Sequence, residues 1–147
     1  MARIKVETIA HDSQDYWEAM LLRDRILRAP LGIEFSEENI AAETEQVHVV
    51  ARERGEIVGT LILRGAAEGL VHMRQVAVAE KKQGRGIGRD LVKFAETLVW
   101  AECGDVIYLH AREPVIPFYE SLGYECEGEI FEEVGIPHQK MLKRLSS

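Results

Sequence analysis

The chain has 147 residues, a length that fits one domain with a sizeable hydrophobic core, so we expect a single domain over residues 1–147. Hydrophobic residues make up 46% of it and charged residues 29%, which is typical of a soluble globular protein. The formal net charge is -7, from 25 Asp and Glu against 18 Lys and Arg, and this acidic balance argues against general nucleic-acid binding.

The N-terminal segment and the cysteines bear on the compartment. Met1 to His11 alternates polar and apolar residues and lacks the long apolar run of a signal peptide or a membrane helix. Cys103 and Cys126 have neither metal-ligand spacing nor a motif around them, so two reduced thiols are favoured over a disulfide or a metal site. We therefore expect a soluble, cytoplasmic protein without a metal or a membrane partner.

The first third of the chain predicts a strand followed by two helices. Alternating apolar residues predict a strand over Ile4 to Ile9. Asp12 or Ser13 can cap the next helix, and Pro30 and Gly32 end it. The apolar face expected for this helix consists of Trp17, Met20, Leu21 and Leu27. A second capped helix is predicted to begin at Ser36. The two glutamates that follow would stabilise its first turn through a favourable interaction with the helix dipole.

The rest of the chain predicts six more strands and two more helices. The strand segments are Val47 to Glu53, Ile57 to Leu63, Leu70 to Val78, Val106 to Leu109, Tyr124 to Phe131 and Gln139 to Leu145. Arg54-Gly55 is the first hairpin turn, and Gly65 and Gly69 bracket the next turn. The apolar residues of the longer helix are Ile87, Leu91, Phe94, Ala95 and Leu98. Gly104 ends that helix, and the last helix runs from Pro114 to Gly123.

This element order predicts a mixed α/β fold with about seven strands and four helices. The strands at Leu70 to Val78 and Val106 to Leu109 flank one helix, so they form a crossover unit and should run parallel in a single central sheet.

Residues Gln83 to Gly88 form a glycine-rich loop between a predicted strand and the first turn of a predicted helix. Free backbone N–H groups and the positive end of the helix dipole create an anion site there, and glycines let the backbone approach a phosphate closely. Further positive charge comes from Lys81, Lys82, Arg85 and Arg89. A polyphosphate ligand is the natural inference, with an ordinary glycine-rich turn and a solvated basic face as the alternative.

Two nucleotide-binding motifs fail on spacing. No G-x-x-x-x-G-K-[S/T] run exists, and the dinucleotide pattern G-x-G-x-x-G finds Arg89 or Leu91 where its last glycine should stand.

The loop resembles the [Q/R]-x-x-G-x-[G/A] signature of the GCN5-related N-acetyltransferases (GNAT), with Gln83, Gly86 and Gly88 at the defining positions. Upstream, Val76-Ala77-Val78 is similar to the strand end that precedes this loop in the family. Downstream, residues Phe118 to Tyr124 resemble its aromatic-Tyr-x-x-x-Gly-[F/Y] segment. The likeness covers Val71 to Tyr124, and the tail Gly135-Ile136-Pro137-His138 resembles a segment in poorly characterised bacterial-type members.

The resemblance implies acetyl-CoA as the cosubstrate and two parallel strands that splay apart at its cleft. The residues implied to bind acetyl-CoA are Val76, Ala77, Val78, Gln83, Gly84, Arg85, Gly86, Ile87 and Gly88. Loop amides would hold the pyrophosphate, the strand end would pair with the pantetheine arm, and a backbone N–H near Val76 would stabilise the developing oxyanion. Tyr119 matches the tyrosine that protonates the departing thiolate, with simple core packing as the alternative.

The base that deprotonates the amine is less evident. Family members often place an acidic residue on the strand before the loop, but Val71 to Ala79 has none, and Gln75 stands in that region. His110 is the favoured candidate because it ends the second parallel strand, although a structural histidine is the competing interpretation. The other candidates are His72, Glu113 and a water chain. His11 and His48 are interpreted as structural.

The acceptor side carries weaker signals. Arg112, with Arg28 and Arg74, could indicate an acceptor with a carboxylate or phosphate, or could make ordinary surface ion pairs. His138 could line the acceptor pocket. The variable loops expected to build that pocket are Pro30 to Ser36 and the C-terminal hairpin.

The sequence therefore predicts an enzyme that moves an acetyl group to a primary amine by direct attack. A small-molecule amine is the favoured acceptor, a protein amine stays open, and so does a homodimer. The alternative is a non-catalytic acyl-CoA-binding or regulatory module on the same fold, which would be expected to lack Tyr119.

Overall fold

The computed structural model describes residues 3–11, 13–28 and 46–146. Its seven strands form one mixed sheet in the order β1-β2-β3-β4-β5-β7-β6. These strands are β1 Ile4–Ile9, β2 Val47–Glu53, β3 Glu56–Ala67, β4 Leu70–Val78, β5 Val106–Arg112, β6 Glu125–Glu133 and β7 Ile136–Arg144. The predicted mixed α/β class and the count of seven strands are confirmed.

Three α-helices lie in the described residues: α1 Gln14–Arg23, α2 Ile87–Ala101 and α3 Ile116–Ser121. A π-helical turn, Asp24–Arg28, follows α1, and short 3-10 turns precede α2 and α3. The helix start predicted at Ser36 and the helix end predicted at residues 30–32 fall outside the described residues. Within the described ranges, no helix is long and apolar enough to cross a membrane.

Several predicted boundaries need correction. β3 continues to Ala67, so Gly65 lies inside a strand and the turn is made by Glu68 and Gly69. β5 runs three residues further than Leu109, so His110 lies within the strand and does not end it. Antiparallel pairing with β7 extends to Arg112, which supplies backbone partners that the short apolar run did not reveal.

The buried face of α1 differs from the predicted one. Ser13 is its N-cap, and the Ser13 hydroxyl accepts a hydrogen bond from the Tyr16 backbone N–H at 3.1 Å. The residues that α1 buries are Tyr16, Ala19, Leu22 and Arg23. Trp17 is 38% exposed and Leu21 is 66% exposed, so the predicted face was wrong by a rotation of about one residue. Sequence periodicity favoured the larger apolar side chains, whereas the helix buries a tyrosine, an alanine and an arginine on its inner side.

The described chain divides into two compact units, and the prediction of a single domain remains a prediction. The first unit comprises Met1–Arg64 and Gln75–Ala95, and the second comprises Gly65–Arg74 and Glu96–Ser147.

In the first unit, β1, β2 and β3 pair antiparallel. Their core residues include Val49, Val50, Leu61 and Ile62, all fully buried, together with Ile87 and Leu91 at the start of α2. Gly59 of β3 permits this packing, because a Cβ there would lie 2.8 Å from Leu91 Cδ1 and 3.2 Å from Ile87 Cγ2. The beginning of α2 is therefore fixed by close contact with a strand.

In the second unit, β4 and β5 pair in parallel, as predicted from the crossover, with Leu70 opposite Val106 and His72 opposite Tyr108. Both strands continue beyond these pairs, to Val78 and Arg112. β7 pairs antiparallel with both β5 and β6. Its core includes Ile107, Met141 and Tyr124.

Candidate functional site

The glycine-rich loop of the first unit has the predicted place between a strand and a helix. β4 ends at Val78, a 3-10 turn covers Glu80–Lys82, and α2 begins at Ile87. Gly84 and Gly86 have φ angles of +79° and +86°, in the left-handed region that favours glycine. The space where their Cβ atoms would stand is open, with no atom within 4 Å among the described residues. The loop therefore offers exposed backbone at the positive end of a 15-residue helix.

Two contacts hold this loop in place. Gln83 Nε2 donates a hydrogen bond to the Val78 carbonyl oxygen at 2.9 Å, which ties the loop to the end of β4. Ile87, the first residue of α2, is 1% exposed and anchors the other end in the core. Gln83, the glutamine of the signature, thus has a structural role in this chain, and Ile87, near the end of the loop, is a core residue.

A buried carboxylate lies beneath the basic residues of the loop. Glu53, the last residue of β2, is 7% exposed. Its carboxylate forms ion pairs with Lys82 and Arg85, at 2.7 Å between Oε1 and Lys82 Nζ and 2.5 Å between Oε2 and Arg85 Nη2. Hydrogen bonds from Arg85 and then from Lys82 lower the pKa of Glu53 from 4.5 to about 2. The basic stretch is therefore neutralised in part by an acid 29 to 32 residues away, which sequence reasoning missed.

The strand end before the loop contains one residue with an unusual backbone conformation. Ala77 is buried, while Val76 and Val78 are half-buried. Gln75 has a φ of 55°, which is uncommon for a residue other than glycine and unusual inside a strand. Its Oε1 atom is buried and lacks a hydrogen-bond partner among the described residues. Such an acceptor costs free energy, so this segment is less relaxed than its regular sequence pattern suggested.

Tyr119 lies on α3 in the second unit and is 6% exposed. Its ring makes edge contacts with Phe118 and Tyr124, at centroid distances of 5.0 and 5.8 Å. Burial raises the pKa of Tyr119 above its ordinary value, so the phenol keeps its proton. Its hydroxyl makes no hydrogen bond within the described part of the chain, which leaves that proton available.

The neighbouring Tyr124 has a different task. Its hydroxyl donates a hydrogen bond to Glu96 Oε2 at 2.9 Å, and Glu96 Oε1 also forms an ion pair with Lys143 Nζ at 3.0 Å. Burial, followed by the nearby Glu96 charge, raises the pKa of Tyr124. Tyr124 therefore contributes to structure, and Tyr119 is the better candidate for proton donation.

His110 of β5 lies in a group of aromatic and titratable side chains in the same unit. Its Nδ1 atom is 3.1 Å from Glu133 Oε1, and its ring lies 4.9 Å from the His72 ring and 5.1 Å from the Phe131 ring. His72 is buried and stacks on Tyr108 at 4.4 Å, which favours a structural role for it. Sequence reasoning selected His110 but missed Glu133, which approaches from β6.

The remaining candidates take different positions. Glu113 is exposed in the turn before α3. Arg112 is half-buried, and desolvation lowers its pKa while the Glu133 charge opposes that shift. His138 is 4% exposed, with Nδ1 2.9 Å from the Ile136 carbonyl oxygen. Arg74 is half-buried, whereas the Arg28 side chain and the loop predicted from Pro30 to Ser36 lie outside the described residues.

The two histidines interpreted as structural surround Tyr16 in the first unit. His11 lies 4.4 Å from the Tyr16 ring and the buried His48 lies 4.9 Å from it, between ring centroids. No three His, Cys, Asp or Glu residues group as metal ligands in the described ranges.

Comparison with known proteins places these features in a family. The model of the acetyltransferase (GNAT) domain matches residues 31–145. The chain is 30% identical to the uncharacterized protein YyaT of Bacillus subtilis (strain 168) over 117 residues, 77% of this chain and 75% of YyaT. Among solved structures, a candidate N-acetyltransferase from Lactobacillus plantarum superposes with a TM-score of 0.86 at 22% identity, covering 97% of this chain and 99% of that one. A GNAT family acetyltransferase from Elizabethkingia anophelis with acetyl-CoA bound gives a TM-score of 0.73 at 20% identity, with 97% and 98% coverage.

The chain belongs to the acetyltransferase (GNAT) family, as the motif resemblance predicted. It is an N-acetyltransferase, an enzyme that transfers an acyl group from coenzyme A.

Proposed function

We propose that this enzyme transfers an acetyl group from acetyl-CoA to a primary amine on a small molecule, by direct attack of the amine on the thioester. The observation that carries the donor assignment is the exposed glycine loop at the start of α2, in a chain of the GNAT family. Its glycines leave room for a diphosphate near the Arg85 to Gly88 amides, and the E. anophelis relative binds acetyl-CoA.

The residue roles proposed on the donor side are those that the family resemblance implies. The amides of Arg85 to Gly88 would bind the pyrophosphate, and Val76 to Val78 would pair with the pantetheine arm. A backbone N–H near Val76 would stabilise negative charge on the carbonyl oxygen.

Tyr119 would donate its phenolic proton to the departing thiolate. Its raised pKa keeps the phenol protonated at neutral pH, and its unpaired hydroxyl has no competing acceptor among the described residues.

His110 would accept the proton that the acceptor ammonium must lose before attack. Its ring is partly exposed, at 29% of the side chain, so a base at this position can exchange protons with solvent. Water-mediated deprotonation without a dedicated base is the competing hypothesis, and an unaltered pH–rate profile in His110→Ala would exclude His110 as the base.

The alternative is a non-catalytic acyl-CoA-binding module. Tyr119 is retained, with a protonated hydroxyl that makes no hydrogen bond to the described residues. This supports the enzyme, because a sensor would not need that group. Both cysteines are exposed free thiols, which supports a reducing, cytoplasmic setting where acetyl-CoA is available. Acetyl is proposed as the acyl group, and a protein amine or a homodimer is left to experiment.

Two measurements test the proposal. Thermal shift with acetyl-CoA, CoA and ATP should show stabilisation by the two CoA compounds, and stabilisation by ATP alone would overturn the donor assignment. A panel of small amines, amino-acid derivatives and peptides should then be incubated with acetyl-CoA. Mass detection of an N-acetyl product identifies the acceptor, whereas binding of acetyl-CoA without consumption of the thioester supports the non-catalytic module.

A further inference from the structure

The Glu133 carboxylate of β6 lies between two histidines from neighbouring strands. Oε1 is 3.1 Å from His110 Nδ1 on β5, and Oε2 is 3.5 Å from His138 Nε2 on β7. Glu133 is the residue before the hairpin turn, where it pairs with Ile136 of β7. We call Glu133, His110 and His138 the Glu133 cluster.

The hydrogen-bonding roles in this cluster follow from its chemistry. An ionised carboxylate only accepts hydrogen bonds, so His110 must donate from Nδ1. In the neutral imidazole this leaves the lone pair on Nε2, which becomes the basic nitrogen. Glu133 thus selects one tautomer of His110 and fixes the plane of its ring.

We propose that Glu133 is a positioning residue that holds His110 as the base of the acetyl transfer, with His138 as the second anchor of its carboxylate. This inference rests on the proposed function, in which His110 accepts the proton of the acceptor ammonium. It extends that function by assigning roles to two residues of the C-terminal hairpin.

The proton balance is complete with groups already named. His110 Nε2 takes one proton from the acceptor ammonium, and Glu133 stabilises the resulting imidazolium through the Nδ1–H bond. The amine nitrogen then forms the C–N bond while the C–S bond breaks, and the thiolate takes the phenolic proton of Tyr119. The second proton of the new amide nitrogen passes through solvent to the tyrosinate. His110 releases its proton to solvent, so one proton is produced for each transfer.

His138 accounts for the second carboxylate oxygen. It is 4% exposed, and its Nδ1 lies 2.9 Å from the Ile136 carbonyl oxygen, which also only accepts. Both ring nitrogens therefore face acceptors. When the ring is protonated it carries an N–H on each nitrogen and forms an ion pair with Glu133 through Nε2, at 3.5 Å from Oε2. Glu133 is 45% exposed, so this anchor restricts a side chain that would otherwise rotate in solvent.

Other charged and titratable groups face this cluster. His72 on β4 lies 4.9 Å from His110, and Tyr108 on β5 lies 6.0 Å from it, between ring centroids. Arg112 on β5 is close enough to Glu133 for that charge to affect its pKa. Lys140 on β7 lies 5.1 Å from the Tyr108 ring. A measured pH profile therefore reports on His110 only when it is compared between variants that differ at Glu133.

The test uses Glu133→Gln with Glu132→Gln as the matched control. Glu132 is the preceding, exposed residue of β6 and makes no ion pair or hydrogen bond through its side chain with the described residues. We expect Glu133→Gln to lower kcat/KM for the acceptor about tenfold, because a charge-assisted hydrogen bond is lost, and to displace the acid limb of the pH profile. Glu132→Gln should match the wild type in both respects.

A double variant separates positioning from folding. In a His110→Ala background, Glu133→Gln should cause no further loss, because its partner is absent. The same tenfold loss in that background, or a Glu133→Gln profile identical to that of Glu132→Gln, would overturn the assignment.

A readout that does not need activity distinguishes this inference from the proposed function. The Nδ1–H proton of His110 should give a downfield NMR resonance that disappears in Glu133→Gln and persists in Glu132→Gln. If no amine is acetylated, the proposed function fails, while this resonance still reports whether Glu133 holds His110. Absence of the resonance from the wild-type protein would refute the positioning.

Discussion

Glu53 and Glu133 occupy equivalent places in two different hairpins. Each is the last residue before a two-residue turn in which both residues have a positive φ: Arg54 and Gly55 in the first, Val134 and Gly135 in the second. Each carboxylate contacts two side chains of its own unit. Glu53 binds Lys82 and Arg85, and Glu133 contacts His110 and His138.

The two carboxylates differ in whether the charge of their partners is fixed or can change. Lysine and arginine stay charged across the working pH range, so the buried Glu53 maintains a fixed support for the glycine loop. Histidine can gain or lose a proton near neutral pH, so the contacts of the exposed Glu133 strengthen when a histidine partner is protonated. In the proposed function, the first unit therefore supports donor binding and the second supports proton transfer. Substitutions in the two units should affect different kinetic constants.

The largest effect is expected for Tyr119→Phe in the second unit. Loss of the phenolic proton removes the proposed general acid, so kcat should fall roughly hundredfold while the Kd for acetyl-CoA stays within about twofold. Tyr124→Phe is the matched control, since it removes the hydrogen bond to Glu96 and should lower stability by about 1 kcal/mol with little change in kcat. Steady-state kinetics and calorimetric binding measure both, and an unchanged kcat in Tyr119→Phe excludes that residue from the mechanism.

Glu53→Gln should produce the opposite kinetic pattern. Without the carboxylate, Lys82 and Arg85 lose their anchor and the loop is less well ordered for the diphosphate, so KM for acetyl-CoA should rise about tenfold with kcat nearly constant. Glu56→Gln, at the exposed far end of the same turn, should leave KM unchanged. Tighter binding in Glu53→Gln would mean that this acid competes with the phosphates instead of supporting the loop.

The same ion pairs predict an acid-dependent stability. The pKa of Glu53 in the folded protein is about 2, below its ordinary value of 4.5. A lowered folded pKa contributes stability that is fully present above pH 4.5 and is lost as the pH falls toward 2. The Tm difference between wild type and Glu53→Gln should therefore narrow between pH 5 and pH 3. A constant difference over that range would show that the charge of Glu53 is not its source.

Sequence reasoning selected the loop and Tyr119 because a short motif marks each of them, and their roles in binding and catalysis stay predictions. A glycine-rich segment between a strand and a helix, and a Phe-Tyr pair at a helix end, can be read within a few residues. Glu53 and Glu133 escaped it because their partners come from other elements. Lys82, Arg85 and His110 lie 23 to 32 residues away along the chain, and His138 lies across the hairpin turn from Glu133. Their contacts depend on strand register and hairpin geometry, which periodicity alone does not specify.

The same limit explains the misjudged details of the fold. The predicted end of β5 at Leu109 followed the apolar run, whereas pairing with β7 carries the strand through His110 to Arg112. The wrong face of α1 followed side-chain size, whereas the tertiary environment buries Tyr16 and Arg23. In both places neighbouring elements outweighed the local pattern.

Gly59→Ala tests whether the donor side depends on close packing beneath the loop. A methyl group there would come within 3.2 Å of both Leu91 and Ile87, which are buried and have little room to move. We expect a loss of about 1 to 2 kcal/mol in unfolding free energy and weaker acetyl-CoA binding, because the start of α2 must shift. Gly65→Ala is the control, since no atom of the described residues lies within 4 Å of its Cβ position, and it should stay within about 0.5 kcal/mol of wild type.

The smallest effect is expected in the turns that carry the two carboxylates. Val134 has a φ of 48°, which a β-branched residue rarely adopts, and Val134→Asn creates the Asn-Gly pair that such turns favour. Unfolding free energy should rise by about 1 kcal/mol, while the equivalent Arg54→Asn should gain less because arginine lacks the β-branch. Denaturant unfolding compares the two variants. An equal gain in unfolding free energy would show that the two turns are equally strained. The hairpins would then differ only in the partners of Glu53 and Glu133.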